Sequence, residues 1–441
     1  MKVLNSNVSS PSAEDLFKFT NGIEIDKLLY KQEIQAQKVW LNQLAKVNVV
    51  SSSEKADLKK ALEEISDLMN CGDFDWRISD EDIHMNIERA LTEKCGALGK
   101  LVHTGRSRND LIATTLRLYV SDVIDNIAVD LEELKLSIKS KATEWIDVIV
   151  PGLTHLQFGQ PIRLGHMFSS HGVGLKRDYE RLMDSKEECL SNCPLGAAAF
   201  AGTHLDVDLR ELAQELGFKK PLNHSYDAVG DRDFILDTLN SFALLATRLS
   251  RFCEETMYWT STPIGVLKLP NQYSTGSSIM PNKRNPDVLE LVRAKMSRVI
   301  NLSSEGMNLV RTVVPSYGTD LHELKKTFVM AQRELSASLK ILVPFVNGLS
   351  CDQKEMESLL NRGHILATEV ANYFSENGMT FRDSYLKTAE LVSEAEKHGA
   401  QVHQIANTSL NVDFSYESAV EKRSNLGGTS RQSAMNSIKS L

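Results

Sequence analysis

The sequence predicts an all-α protein organised around long central helices. Three observations predict it. The eleven prolines (11, 151, 161, 194, 221, 263, 270, 281, 286, 315 and 344) leave 12–150 and 345–441 proline-free, and proline costs about 3 kcal/mol inside a helix. Apolar residues recur at heptad spacing in three tracts. Alternating strand patterns are scarce, and only short pieces such as Val148–Val150 and Ile264–Leu269 read as strands.

In chain order, residues 1–105 read as a helical N-terminal domain, 106–350 as a central long-helix bundle domain and 351–441 as a helical C-terminal domain. The N-terminal stretch Met1–Asp15 has no apolar core of signal-peptide length. Residues 106–150 lack both glycine and proline, so one helix there would run roughly 67 Å. Leu116, Val120, Val123, Ile127, Leu131, Leu134 and Ile138 place a seven-residue repeat on one of its faces. Residues 191–206, with Gly196, Gly202 and four alanines, read as a close-packing region or a turn. A second Gly- and Pro-free tract, 231–262, aligns Ile235, Leu239, Phe242, Leu245, Leu249 and Phe252. A third helix begins at Pro286, a favourable first-turn residue, and carries Leu289, Val292, Met296 and Val299 in the same pattern.

The length of 441 residues suits about three domains or one long helical domain with lobes. Hydrophobic residues at 42% and charged residues at 24% argue against disorder. Fifty basic against 58 acidic residues give a net charge of −8. That balance opposes non-specific nucleic-acid or anionic-membrane binding, so an anionic ligand must find its positive charge locally. No apolar run approaches the roughly 18 residues of a membrane span. Six cysteines (71, 95, 189, 193, 253 and 351) form no Cys-x-x-Cys pair and read as reduced thiols, which makes the cytoplasm the default compartment.

Four polar segments interrupt the helical tracts. Glu81–Glu88 reads equally as an acidic helix start or as a functional segment. His103-Thr104-Gly105-Arg106-Ser107-Arg108-Asn109-Asp110 directly precedes the long helix. Ser107, Asn109 or Asp110 suits its N-cap, and two arginines beside a helix N-terminus suit a carboxylate or phosphate. Thr154-His155-Leu156-Gln157 follows Pro151-Gly152, and its histidine fits a structural or a catalytic role. Ser274–Asp287 holds one glycine, two prolines, four hydroxyl side chains and two cations, and leads into a helix. It reads as a surface loop or as a closing loop that binds an anion and presents a hydroxyl.

Other chemistries lack support. His166 and His171 are five apart, off the zinc-binding i, i+4 spacing. No Gly-x-Gly-x-x-Gly or Walker loop points to a nucleotide cofactor, and no Gly-x-Ser-x-Gly elbow points to a serine hydrolase.

At these segments the sequence resembles the argininosuccinate lyase branch of the fumarase/aspartase superfamily. Gly276-Ser277-Ser278-Ile279-Met280-Pro281-x-Lys283-x-Asn285 is similar to the superfamily's signature loop. His103–Asp110 and Thr154–Gln157 are similar to segments of the branch, as are Asp227-Ala228-Val229, Asp231-Arg232-Asp233 and Gly427-Gly428-Thr429. The resemblance implies a three-domain subunit in a homotetramer, with the long helices forming a twenty-helix bundle and each active site shared by three subunits. It implies reversible, cofactor- and metal-free elimination of fumarate from argininosuccinate, releasing arginine, a step of arginine biosynthesis. The stripes fit that picture if one subunit cannot bury them alone.

The same resemblance implies the site. Ser277 would be the base that removes a proton from carbon, as an alkoxide stabilised by nearby cations and amides. Lys283 and Asn285 would stabilise the dianionic aci-carboxylate that results. His155, coupled to Glu290, would donate a proton to the leaving nitrogen or only bind. Ser107, Arg108, Asn109 and Thr154 would hold the succinate carboxylates, and Tyr317 and Lys325 would make further substrate contacts. The chain departs from the family's usual residues at Gly22, Leu111, His224, Tyr226, Asn282 and His322. These departures keep open a related carbon–nitrogen lyase acting on another N-substituted aspartate. A non-catalytic homologue is the other alternative, which the intact Ser277, Lys283, Asn285 and His155 disfavour.

Overall fold

A computed structural model of the chain describes residues 19–80 and 82–441. Pro11, the N-terminal stretch and Glu81 lie outside the described residues. Helices carry the fold, and every sheet among the described residues has two strands.

The chain forms two compact units. One takes residues up to Ala128, Glu180–Leu244 and Arg298–Glu334; the other takes Val129–Tyr179, Leu245–Ser297 and Leu335–Leu441.

The first unit opens with α1 (Tyr30–Lys46), α2 (Ser52–Cys71) and α3 (Ile83–Cys95). Their apolar faces bury Trp40, Leu41, Leu44, Leu58, Leu62, Ile65, Ile87 and Leu91 in one core. A reciprocal Ser51–Glu54 capping box starts α2, and Gly72 ends it at φ 82°. The Trp40 indole donates to the Thr104 carbonyl at 3.1 Å and so ties α1 to the segment that enters the next helix.

That helix is α4 (Arg108–Glu144), of 37 residues, about 55 Å long. It stops short of the expected residue 150. Ile146, Val148, Ile149 and Val150 are β-branched, and Val150 precedes a proline, which disfavours helical backbone there. These residues feed instead a hairpin in the second unit, β1 (Ile149–Thr154) and β2 (Gln157–Arg163).

Four further long helices follow: α5 (Leu164–Cys189), α6 (Asp233–Thr260), α7 (Asp287–Val310) and α8 (Leu321–Gly348). Between α6 and α7 the second unit holds a short hairpin, β3 (Thr275–Gly276) and β4 (Arg284–Asn285). Pro286 stands one residue before α7, and its carbonyl accepts from the Leu289 and Glu290 amides at 2.9 and 3.1 Å. In the same unit α9 (Tyr416–Glu421) braces β2, and α10 (Arg431–Lys439) is tied to α9 by the Arg431 amide, which donates to Glu421 at 2.9 Å. The buried Arg163 donates to Glu417 and Glu421 at 2.5 and 2.6 Å, and its amide donates to the Thr429 hydroxyl at 2.9 Å.

The heptad stripes are all buried within the single chain, from Leu116 to Ile138, Ile235 to Phe252 and Leu289 to Val299. One subunit therefore buries these stripes without a partner. Different apolar residues of these helices stay exposed. They are Leu244, Ile300, Met307 and Met330 in the first unit, and Val129, Leu136, Val173 and Leu291 in the second.

Candidate active site

The entry to α4 is built by capping. The Ser107 hydroxyl accepts from the Asn109 amide at 3.3 Å, and the Asp110 carboxylate accepts from the Ser107 amide at 3.1 Å. This is the reciprocal logic of a capping box. The other Asp110 oxygen accepts from the Gly196 and Ala198 amides at 3.1 and 2.8 Å, which pins the small-residue turn at 191–206 beside the helix start. Gly196 at φ 108° and Ala198 at φ 51° supply that turn. The Asn109 side chain donates to the Ala199 carbonyl at 3.4 Å. Asp110→Asn sets an N–H2 group against amide donors. It is expected to cost about 1–3 kcal/mol in a denaturant titration; an unshifted midpoint would show that the pin carries no load.

The two arginines of the segment part company. Arg106 is buried and faces inward toward Glu33, with Nε and Nη1 unpartnered. It is thus removed from the expected surface anion site. Arg108 Nη1 donates to Asp82 at 3.2 Å. Asp82 is the N-cap of α3 and also accepts from the Met85 amide at 2.8 Å.

Tyr317 and Lys325 belong to the same unit. Lys325 forms a buried ion pair with Asp26. The Tyr317 hydroxyl meets His322 Nε2 at 2.5 Å. Burial pushes the Tyr317 phenol up and the His322 imidazole down, so both stay neutral near pH 7. The Tyr317 loop lies close on Ser225–Gly230, where a Cβ on Gly230 would stand 2.6 Å from the Ser316 backbone. His224 caps that short helix, its Nδ1 accepting from the Asp227 amide at 3.4 Å, so this departure keeps a capping role. Ser107, Arg108, Asn109, Tyr317 and Lys325 are thus all in the first unit, with acidic partners Asp82, from the Glu81–Glu88 segment, and Asp26, which no sequence motif had singled out.

Thr154, His155, Ser277, Lys283, Asn285 and Glu290 are in the second unit. Thr154 pairs with Gln157 and closes a two-residue turn at His155-Leu156. Both turn residues are left-handed, at φ 55° and 59°, where a side chain costs about 1–2 kcal/mol. Both are exposed at the hairpin tip.

Ser277–Lys283 forms the loop between β3 and β4, whose register pairs Thr275 with Asn285 and Gly276 with Arg284. The Thr275 hydroxyl bonds to Asp287 in the first turn of α7, and Arg284 bonds to Asn271. These contacts fix both ends of the loop. Within it the Ser277 hydroxyl oxygen accepts from the Met280 and Ile279 amides at 3.0 and 3.3 Å. Asn285 directly precedes Pro286, and Glu290 is exposed in the first turn of α7. Among the described residues no hydrogen bond or ion pair joins His155 to Glu290 or to the Ser277 loop.

A family profile described as lyase matches residues 9–301, and one described as argininosuccinate lyase C-terminal matches residues 364–424. The argininosuccinate lyase of Oleidesulfovibrio alaskensis is 37% identical over 93% of this chain and 92% of its own length. That of Saccharophagus degradans is 40% identical over 91% of this chain and 84% of its own. The chain belongs to the argininosuccinate lyase family.

Solved structures agree on the fold. EDDS lyase in complex with formate superposes with a TM-score of 0.82 at 20% identity, over 98% of this chain and 89% of that one. Class II fumarase from Schistosoma mansoni gives 0.73 at 19% identity, over 87% of both chains. Within the argininosuccinate lyase family, this member sets His322 against Tyr317 and buries Leu111 beside Arg106 and Arg108. No helix among the described residues is long and apolar enough to cross a membrane.

Proposed function

We propose that this carbon–nitrogen lyase cleaves argininosuccinate reversibly to arginine and fumarate in the cytoplasm. The observation that most supports it is the Ser277 hydroxyl, which receives two backbone amides within its own loop. A serine is a very weak base unless its alkoxide is stabilised. Two amide donors, with Lys283 six residues on, supply that kind of stabilisation.

In this reading the Ser277 alkoxide takes the proton from the carbon beside a succinate carboxylate. The electron pair moves onto that carboxylate as an aci-carboxylate dianion, held by Lys283, Asn285 and the start of α7. Each such donor contributes about 3–4 kcal/mol in comparable sites. Collapse of the dianion forms the fumarate double bond and breaks the C–N bond. The leaving nitrogen takes a proton from His155, or from water with His155 only binding. Glu290 on a neighbouring subunit would raise the basicity of that histidine. Ser107, Arg108, Asn109 and Thr154 hold the succinate carboxylates, and Tyr317 and Lys325 contact the rest of the substrate. Neither cofactor nor metal has a step in this scheme.

The active assembly is a homotetramer in which three subunits complete each site. Five long helices per chain make twenty in four, and the exposed Val129, Leu136, Leu244, Leu291, Ile300, Met307 and Met330 give the partners an apolar surface. The segments 1–105, 106–350 and 351–441 remain the proposed domains of each subunit. The test is fumarate release, followed by absorbance, from argininosuccinate and the purified full chain, with mass measured by light scattering. Fumarate formation by a tetramer is expected. Inertness toward argininosuccinate, with activity on another N-substituted aspartate, would reassign the substrate, and an active monomer would end the shared-site model.

A further inference from the structure

We propose that Glu33 is a positioning residue for the elimination, holding His84 as an imidazolium behind the Asp82–Arg108 pair. The proposal rests on the reading above and adds Glu33, which no motif marks, and a role for His84 of the Glu81–Glu88 segment.

Glu33 sits mid-way along the first turns of α1, on the face that also buries Gln37. It is fully buried. Its Oε1 accepts from Gln37 at 2.6 Å, and its Oε2 lies 2.8 Å from His84 Nδ1, out of line for a hydrogen bond but well within ion-pair range. Burying a lone carboxylate costs several kcal/mol, so such a group is either neutral or faces cations. Here it faces two, His84 and Arg106. Of these, His84 stands on α3 two residues past Asp82, the residue that receives Arg108. His84, Gln37, Arg106 and Arg108 line one cavity with room for about one water, so the buried couple adjoins the candidate carboxylate-binding arginine.

The charged and titratable groups around His84 come from every neighbouring element. They are Glu33 on α1, Asp26 on Ile23–Asp26, Asp82 at the N-cap of α3 and Glu88 within it, His103 and Arg106 before α4 and Arg108 at its start, and His322 and Lys325 on α8. Burial alone pulls the imidazole down; Glu33, then Asp82 and Asp26, outweigh it and hold His84 above its usual range. Burial likewise raises Glu33, and His84 and Arg106 outweigh it and hold the carboxyl below its usual range. The sign follows. A raised imidazole keeps its charge to higher pH than a free histidine does and loses it as pH rises through the raised folded value. The His84 charge attracts Asp82, the residue that receives Arg108, and so helps hold that pair in place; its loss should weaken substrate binding and spare the chemical step.

The experiment compares wild type, Glu33→Gln and His84→Gln in fumarate release from argininosuccinate between about pH 6 and about pH 8. Wild-type KM should be nearly flat. Glu33→Gln should match it at the acid end and rise about tenfold as the unsupported imidazole deprotonates, with kcat little changed. His84→Gln should show the raised KM at all pH values. A Glu33→Gln variant whose KM follows wild type throughout overturns the proposal. Should that variant not fold, His84→Gln with wild-type KM overturns it, as does a histidine NMR titration of wild type placing His84 below its ordinary value. Wild-type inactivity on argininosuccinate would instead strike the functional reading.

Discussion

Ser277→Ala is expected to lower kcat about 10³-fold or more while KM changes by no more than a few-fold. The reason is geometric. The Ser277 oxygen is the point at which the Ile279 and Met280 amides converge, and methyl cannot carry the charge they are placed to hold. Stability should hardly respond, because the loop is solvent-facing and the freed amides can bond to water; a change within about 0.5 kcal/mol is expected. Binding should persist through the proposed carboxylate contacts of Ser107, Arg108, Asn109 and Thr154. The measurements are steady-state fumarate release and calorimetric binding of argininosuccinate to the inactive variant. Turnover within tenfold of wild type would take the base role away from this hydroxyl. Lost binding with normal turnover per bound substrate would make it a ligand.

The fold was legible where a filter based on glycine and proline works. The cores of α4, α6 and α7 lie in tracts free of both, and their stripes are buried as patterned. The same filter hid α5 and α8. The first contains Gly165, Gly172 and Gly174, and the second contains Pro344. Those glycines serve packing rather than breakage. A Cβ at Gly165 would stand 2.2 Å from the Ala142 carbonyl oxygen, and one at Gly174 2.4 Å from Arg248. Tertiary approach overrides propensity in such helices.

The site was legible in its local parts only. Ser107 and Asp110 cap as their spacing suggests, since capping is decided within four residues. Arg106 and Arg108 look equivalent in sequence, yet one goes inward to Glu33 and the other meets Asp82. Asp26 and Glu33 left no sequence signal at all. An acidic side chain in a helix is solvated by default, and what buries these two are Lys325 and His84, far off in the chain. The left-handed pair at His155-Leu156 was hidden too, because a two-residue hairpin turn is ordinarily announced by Asn-Gly.

That anomaly gives the second large effect. Replacing His155-Leu156 by Asn-Gly should stabilise the hairpin and destroy the activity together. Asn and Gly enter left-handed backbone at little cost, so relieving φ 55° and 59° is worth about 1–2 kcal/mol. The Thr154–Gln157 register should survive, since the turn type is unchanged. Native-state hydrogen exchange should report slower opening of the amides in β1 and β2. Loss of the imidazole should lower kcat about 10²–10⁴-fold, the range for a group that moves a proton in the transition state. Single variants divide the two effects. Leu156→Gly should carry most of the stabilisation with activity largely kept, and His155→Asn should carry the loss of activity. Strain at a non-glycine turn persists only where something over-determines it, and here a catalytic imidazole is what would justify it. An Asn-Gly hairpin that stays active would make the histidine dispensable. An unstabilised hairpin would mean that the turn is not strained, and the left-handed pair would then lose its standing as a mark of function.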